Sequence, residues 1–127
     1  MENEKPPRIL LVEDQALLAK VVQALLTQVG MTVDIAENGS VATKMLLETP
    51  YVLVITDLMM PIMDGLQLVE WIRCKAGLAV PVVVLSAKVD AQHSDQLAKL
   101  GVRAIFMKPL DMERFAQEVK VILDAHA

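Results

Sequence analysis

The sequence is poor in cysteine, in aromatic residues and in long apolar stretches. Its single cysteine, Cys74, cannot form an internal disulfide or supply a cysteine cage for a metal, which excludes disulfide-stapled folds and zinc fingers. Aromatic residues make up only 3% of the chain, too few for a surface that stacks on single-stranded nucleic acid or sugars. No apolar run reaches the roughly 18 residues of a membrane helix, and the acidic start lacks the features of a signal peptide. We therefore expect a cytoplasmic protein without membrane contact.

Positive charge is also scarce. The chain has 12 Lys and Arg against 16 Asp and Glu, a net charge of −4, which disfavours direct contact with nucleic acid. Hydrophobic residues make up 54% of the 127 residues, enough to bury a sizeable core in one domain. We expect a flexible segment at residues 1–7 and a single domain at 8–125.

Short apolar runs alternate with helical patterns along the whole chain. Strands are predicted at 8–12, 32–36, 52–55, 81–85 and 104–107, and helices at 15–29, 41–48, 66–75, 90–100 and 111–125. Asn38-Gly39 is predicted to be the turn before the second helix. Because parallel strands need crossover connections, five such βα units predict an α/β fold with helices on both faces of a parallel sheet.

Polar residues cluster where the predicted strands end, which is where open α/β sheets carry their functional groups. Glu13 and Asp14 follow strand one, Asp57 strand three, Ser86 strand four and Lys108 strand five. Three converging carboxylates would repel one another by about 1–4 kcal/mol per close pair, so a cation is needed. Oxygen ligands without Cys or His favour Mg²⁺. A carboxylate, a metal, a hydroxyl and a lysine are the parts that phosphoryl transfer requires.

Four motifs in this order carry a family resemblance. They are Glu13-Asp14, the stretch from Ile55 to Gly65, Ser86-Ala87 and Lys108-Pro109. Together they resemble the receiver domain of bacterial two-component response regulators, over residues 8–125. The resemblance implies a doubly wound, flavodoxin-like three-layer (βα)5 sandwich with strand order 2-1-3-4-5.

The resemblance also implies a role for each motif. Asp57 would accept a phosphoryl group from a histidine kinase or a histidine phosphotransfer protein, so the chain would be a signalling domain rather than an enzyme. The remaining implied roles are Mg²⁺ binding by Glu13, Asp14, Asp57 and the backbone carbonyl of Met59, and phosphate binding by Ser86, the amide of Ala87 and Lys108.

The implied output surface is the face of helix four, strand five and helix five, which would contact a downstream effector or form a phosphorylation-dependent dimer. One residue departs from the family pattern: Ile105 stands where an aromatic residue is usual, with Phe106 predicted on the opposite face of the strand. We therefore predict that switching relies on movement of Ser86 and on loop rearrangement, with a smaller contribution from Ile105.

Each site residue also has a simpler interpretation. Asp14 could cap the first helix, Asp57 and Ser86 could be ordinary turn residues, and Lys108 an exposed charge. Three other functions compete. A haloacid-dehalogenase-like phosphatase needs a second Asp where Met59 stands, and a flavodoxin-like cofactor domain needs a glycine-rich loop that is absent after strand one. A degenerate receiver acting as a constitutive docking module draws support only from Ile105.

Overall fold

The chain forms a five-stranded parallel sheet between two layers of helices, as predicted. The computed structural model describes residues 6–88 and 91–125, and the strands run in the order β2-β1-β3-β4-β5. The elements are β1 (Arg8–Val12), α1 (Ala16–Gln28), β2 (Thr32–Ala36), α2 (Gly39–Glu48), β3 (Leu53–Asp57), α3 (Gly65–Glu70), β4 (Val82–Ser86), α4 (Ala91–Lys99), β5 (Ala104–Met107) and α5 (Met112–Ala125). A π-helical turn, Trp71–Lys75, continues α3.

Two apolar clusters hold the layers together, one on each face of the sheet. Ile9 and Leu11 of β1 pack with α1 and α5, whereas Leu10 and Val12 of the same strand pack with α2, α3 and α4. Because both faces of the central strands are covered, their residues are buried in continuous runs rather than alternately. Among the described residues, none of the helices combines the length and apolar character needed to cross a membrane.

Two strand boundaries differ from the prediction in a way that concerns the site. β3 extends to Asp57 and β4 extends to Ser86, so both residues are the last of their strands instead of following them. Both are buried, and the sheet hydrogen bonding continues to Leu58, whose amide donates to the carbonyl of Leu85 at 2.8 Å. Polar residue types made these strands look shorter in the sequence.

The second helix begins two residues earlier than predicted. Asn38 caps it, since its side chain accepts a hydrogen bond from the amide of Val41 at 2.9 Å, and Gly39 is the first helical residue. A side chain at Gly39 would overlap Met63, which explains a glycine there without a turn. The prediction of a turn at Asn38-Gly39 is therefore wrong.

The remaining predicted boundaries agree within one or two residues. Asp90, the predicted start of the fourth helix, lies outside the described residues. The carbonyl of Pro7 accepts a hydrogen bond from Thr32 at 2.8 Å, so the hydrogen bonding of the sheet already includes residue 7.

Arg73, in the π-helical turn, ties three parts of the chain together. Its guanidinium donates to the carbonyl of Leu100 at 2.7 Å and to the carbonyls of Leu78 and Val80 at 2.9 and 2.8 Å. Burial lowers the pKa of Arg73, whose guanidinium donates to these backbone carbonyls. The side chain thus connects the end of α4 to the segment that leads into β4.

Candidate functional site

The register of the sheet brings Glu13 beside Asp57. β1 and β3 are neighbouring parallel strands, with Val12 opposite Thr56, so the next residue of each strand lies at the same edge. The amide of Glu13 donates to the carbonyl of Ala36 at 3.0 Å, which fixes the backbone just after β1. Both strands are anchored by apolar side chains on two faces, so the position of the two carboxylates follows from core packing.

Glu13, Asp14 and Asp57 form a carboxylate cluster. Each contributes an oxygen atom, and these oxygens all lie within 4.8 Å of one another. Glu13 and Asp57 are only 2% and 5% exposed, whereas Asp14 faces solvent. The alternative that Asp14 caps the first helix is not supported, because Gln15 occupies the cap position. The structure therefore brings together the three carboxylates that the sequence singled out.

Lys108 reaches into this cluster. Its Nζ lies 3.0 Å from Asp57 Oδ2 and 3.2 Å from Glu13 Oε1. Burial lowers the pKa of Lys108, but the hydrogen bonds and charges of Asp57 and Glu13 outweigh this and raise it. Its amide also donates to the carbonyl of Ser86 at 2.8 Å. Lys108 is thus a fixed positive charge rather than the exposed side chain of the simpler interpretation.

One lysine does not neutralise the cluster. Burial and the neighbouring Asp57 raise the pKa of Glu13 to about 7, despite the opposing effect of Lys108. Glu13 Oε2 is buried and has no hydrogen-bond partner among the described residues. A buried carboxylate oxygen without a donor is costly unless a cation binds it. The donor set, all oxygen with one solvent-facing member, fits a hard divalent ion such as Mg²⁺.

Ser86 and Ala87 lie at the end of β4. The Ser86 side chain is buried, and its hydroxyl donates to the carbonyl of Lys88 at 2.6 Å and accepts from the amide of Lys88 at 3.1 Å. Ser86 therefore does stabilise a local turn, as its simpler interpretation predicts. Ala87 is exposed.

The loop from Leu58 to Gly65 borders the cluster. Its two ends are joined by a hydrogen bond from the amide of Gly65 to the carbonyl of Leu58 at 2.8 Å. A Cβ on Gly65 would collide with the carbonyl oxygen of Asp57, so only glycine permits this close approach. Asp64 and Gln67 form a reciprocal capping box that starts α3. Met59 lies in this loop with its side chain 67% exposed.

Ile105 and Phe106 point to opposite faces of β5, as predicted. Ile105 is half-buried against the cluster of α2, α3 and α4. Phe106 packs on the other face, where its ring meets Phe115 edge-on at a centroid distance of 5.0 Å. Phe106 does not replace the missing aromatic residue, because it lies on the wrong face of the strand.

Two contributions to the site were missed by sequence reasoning. The first is the pairing of Lys108 with Glu13, because β3 and β4 lie between the strands that carry these two residues. The second is Gly65, whose role follows from its contact with the backbone of Asp57. The sequence does carry a signal for the role of Gly65. Glycine is unfavourable inside a helix, yet Asp64-Gly65 stands at the start of an apolar helical pattern.

The chain is similar to response regulators over nearly its whole length. The family model described as response regulator receiver domain matches residues 9–120. Response regulator ArlR of Staphylococcus epidermidis is 35% identical over 115 residues, which are 91% of this chain and 52% of that protein. The sensor histidine kinase GacS of Pseudomonas protegens is 32% identical over 121 residues, 92% of this chain but only 13% of that protein. The chain thus spans about half the length of the first regulators it matches.

Solved structures of receiver domains have the same fold as this chain. The non-phosphorylated HemR receiver domain from Leptospira biflexa has a TM-score of 0.85 at 30% identity, covering 92% of this chain and 94% of that one. The receiver domain of Francisella response regulator 1452 has a TM-score of 0.88 at 23% identity, covering 95% of this chain and 99% of that one, and shows the shared fold. With the predicted acidic cluster in place, these matches establish that the chain belongs to the response regulator receiver domain family.

Proposed function

We propose that this chain accepts a phosphoryl group on Asp57 and so switches a protein-binding surface in a two-component phosphorelay. The observation that carries this is the buried Asp57 carboxylate held 3.0 Å from Lys108 inside a cluster of three carboxylates. A degenerate docking module would have no need for such a cluster, whose buried charges cost stability. The intact site therefore favours the phosphoacceptor.

The transfer itself needs an attacking oxygen and neutralised charge. A carboxylate oxygen of Asp57 attacks the phosphorus of a phosphohistidine, a P–O bond forms, and the P–N bond to the donor imidazole breaks. Lys108 stays close to Asp57 and pairs with the incoming phosphate oxygens. Glu13, Asp14, Asp57 and the backbone carbonyl of Met59 would hold Mg²⁺, which when bound neutralises charge on the transferring group.

Phosphorylation of Asp57 offers the Ser86 hydroxyl a new hydrogen-bond partner. A phosphoryl group brings up to about two negative charges and new acceptor oxygens. In the structure the Ser86 hydroxyl donates to the carbonyl of Lys88 at 2.6 Å. To bind phosphate beside the amide of Ala87, it must leave that carbonyl, which releases the turn after β4. The proposed switch is therefore this turn, with Ile105 making a smaller adjustment.

The effector surface proposed is the face of α4, β5 and α5. A cavity of about 370 Å³ lies on its β5 and α5 side. It is lined mainly by Ile105, Phe106, Leu110, Arg114 and Phe115. Its lining mixes apolar side chains with charged ones such as Arg114, which supports a protein partner or a second phosphorylated copy of the chain.

The phosphoacceptor is tested by intact mass after incubation with acetyl phosphate, with and without Mg²⁺. We expect one phosphoryl adduct on the wild type in Mg²⁺, and none when Mg²⁺ is chelated or in Asp57→Asn. Asp124→Asn is the matched control, because Asp124 is exposed at the end of α5. An adduct of equal yield in Asp57→Asn would refute the assignment. Sustained turnover of a phosphate ester would instead favour a phosphatase.

A further inference from the structure

Four polar or charged residues are buried among those that the structure describes. Three of them, Glu13, Asp57 and Ser86, belong to the candidate site. The fourth, Thr56, is fully buried in β3 directly before Asp57, and the proposed phosphoryl transfer does not use it. A buried hydroxyl costs free energy unless it is hydrogen-bonded, so the partner of this hydroxyl indicates its role.

The surroundings of the Thr56 side chain are apolar. Val12 of β1 and Val84 of β4 stand opposite Thr56 in the sheet, and both are fully buried in the cluster of α2, α3 and α4. Val54 and Leu58, two residues before and after Thr56, belong to the same cluster, so the Thr56 side chain faces it. Valine has nearly the shape of threonine and suits both a strand and an apolar core. Packing alone therefore does not require the hydroxyl.

The Thr56 hydroxyl binds the backbone of Asp57. It donates to the carbonyl of Asp57 at 2.9 Å. The register between β1 and β3 ends with Val12 opposite Thr56, so this carbonyl lies just beyond the hydrogen bonding of these two strands. The amide of Glu13, the next residue after β1, donates to Ala36 of β2. The hydroxyl thus supplies a donor at the point where the pairing of β1 with β3 stops.

This hydrogen bond restricts the backbone at the carbon that carries the carboxylate of Asp57. It joins the side chain of one residue to the carbonyl of the next, so the ring that it closes contains the N, Cα and C atoms of Asp57. Rotation about φ or ψ of Asp57 would lengthen or bend the bond. The same carbonyl is closely approached by Gly65, where a Cβ would collide with it. The two contacts fix the backbone from which the carboxylate reaches Lys108 at 3.0 Å.

We propose that Thr56 is a positioning residue for phosphoryl transfer: its hydroxyl orients the carboxylate of Asp57 through the backbone, without touching the phosphoryl group. This rests on the proposed function, in which a carboxylate oxygen of Asp57 attacks phosphorus. The attack requires one orientation of the carboxylate, since a misplacement of about 1 Å can slow a catalysed step on the order of a hundredfold. Without the hydroxyl, the Asp57 carbonyl loses this donor and the backbone gains freedom to rotate.

Two substitutions of Thr56 separate the hydroxyl from the packing. Thr56→Val keeps the shape and removes the hydroxyl, whereas Thr56→Ser keeps the hydroxyl and removes a methyl group. Both should lower the melting temperature by a few degrees, the first because a carbonyl loses its donor and the second because a small cavity forms. Val54→Ala is the matched control for lost stability, because Val54 is fully buried in the same strand and cluster but lies farther from Asp57 in the chain.

The rate of labelling by acetyl phosphate in excess Mg²⁺ is measured by intact mass, below the melting temperature of every variant. Acetyl phosphate is the donor because it reports on the chemistry at Asp57 without a protein interface. We expect Thr56→Val to be labelled about tenfold more slowly than wild type, and Thr56→Ser and Val54→Ala within about twofold of it. A residue that served packing alone would give the opposite order, because the serine loses packing and the valine keeps it.

Each other outcome has a definite meaning. Labelling of Thr56→Val as fast as that of Thr56→Ser overturns the positioning role and leaves the proposed function intact. Slowing of Val54→Ala to the rate of Thr56→Val also overturns it, because lost stability rather than the lost hydroxyl would then be the cause. If acetyl phosphate does not label Asp57 of the wild type, the proposed function itself fails.

Discussion

Replacing Glu13 by Gln should stabilise the metal-free domain at pH 8. Glu13 is buried, one of its oxygens has no hydrogen-bond partner among the described residues, and its pKa is raised from the usual 4.5 to about 7 by burial and by Asp57. A tenfold change in a protonation equilibrium corresponds to about 1.4 kcal/mol, so ionising Glu13 in the folded state costs on the order of 3 kcal/mol. Gln also loses the charge interaction with Lys108, so we expect a net gain of about 1–2 kcal/mol.

The pH dependence has a definite sign. Because the folded state holds the Glu13 proton more tightly than the unfolded state, this contribution to stability is fully present below the unfolded pKa. It is lost as the pH rises towards about 7. Metal-free wild type should therefore become less stable between about pH 5 and pH 7, and Glu13→Gln should flatten this part of the profile. Added Mg²⁺ should reverse the loss in wild type at pH 8 and have little effect on Glu13→Gln.

Urea denaturation at pH 5 and pH 8, in EDTA and again with added Mg²⁺, measures all of these quantities. The reasoning is refuted if Glu13→Gln is less stable than wild type at pH 8 and equal to it at pH 5. That result would mean that the ion pair of Glu13 with Lys108, at 3.2 Å, outweighs the cost of burying the carboxylate.

Three further substitutions test other parts of the structure. Lys108→Met leaves Glu13 and Asp57 without their cation, so it should destabilise the metal-free domain at pH 8 by about 2–4 kcal/mol, and an unchanged urea midpoint would contradict this. Gly65→Ala places a methyl group against the carbonyl of Asp57, so we expect it to destabilise the domain by about 1–3 kcal/mol and to weaken Mg²⁺-dependent labelling by acetyl phosphate. Labelling equal to that of wild type would refute the close approach of Gly65 to Asp57. Phe115→Ala should cost about 3–5 kcal/mol in urea denaturation, because Phe115 is 1% exposed, and a loss below about 1 kcal/mol would show that the core refills the space.

The sequence predicted the fold well because the pattern of apolar residues is set by the sheet itself. Runs such as 82–85 are buried on both faces, and such runs can be recognised without any long-range information. The carboxylate cluster was also predictable, since parallel strands place their ends at one edge whatever their separation in the chain. Polar residues at the ends of several strands are therefore informative as a set.

What the sequence could not predict depends on contacts across the fold. The pairing of Lys108 with Glu13 needs β5 and β1 to be positioned by the strands between them. The early start of α2 depends on Gly39, which leaves room for the side chain of Met63. The glycine at 65 is required by the close approach of the Asp57 backbone. Local residue preferences contain none of these distances, and the residue types of the Asn38-Gly39 pair alone predict a turn there.

The hydrogen bonds of Arg73 give α4 one fixed end. The guanidinium holds the carbonyl of Leu100, just after the last turn of α4, and also the two carbonyls that precede β4. Because α4 is held at its Leu100 end, a movement of the helix would pivot about that end. The helix spans nine residues, or about 13 Å. A shift of the turn after Ser86 would then be largest at the start of α4 and would vanish near Leu100. We therefore expect this helix to tilt about its end near Leu100 rather than to slide along its axis.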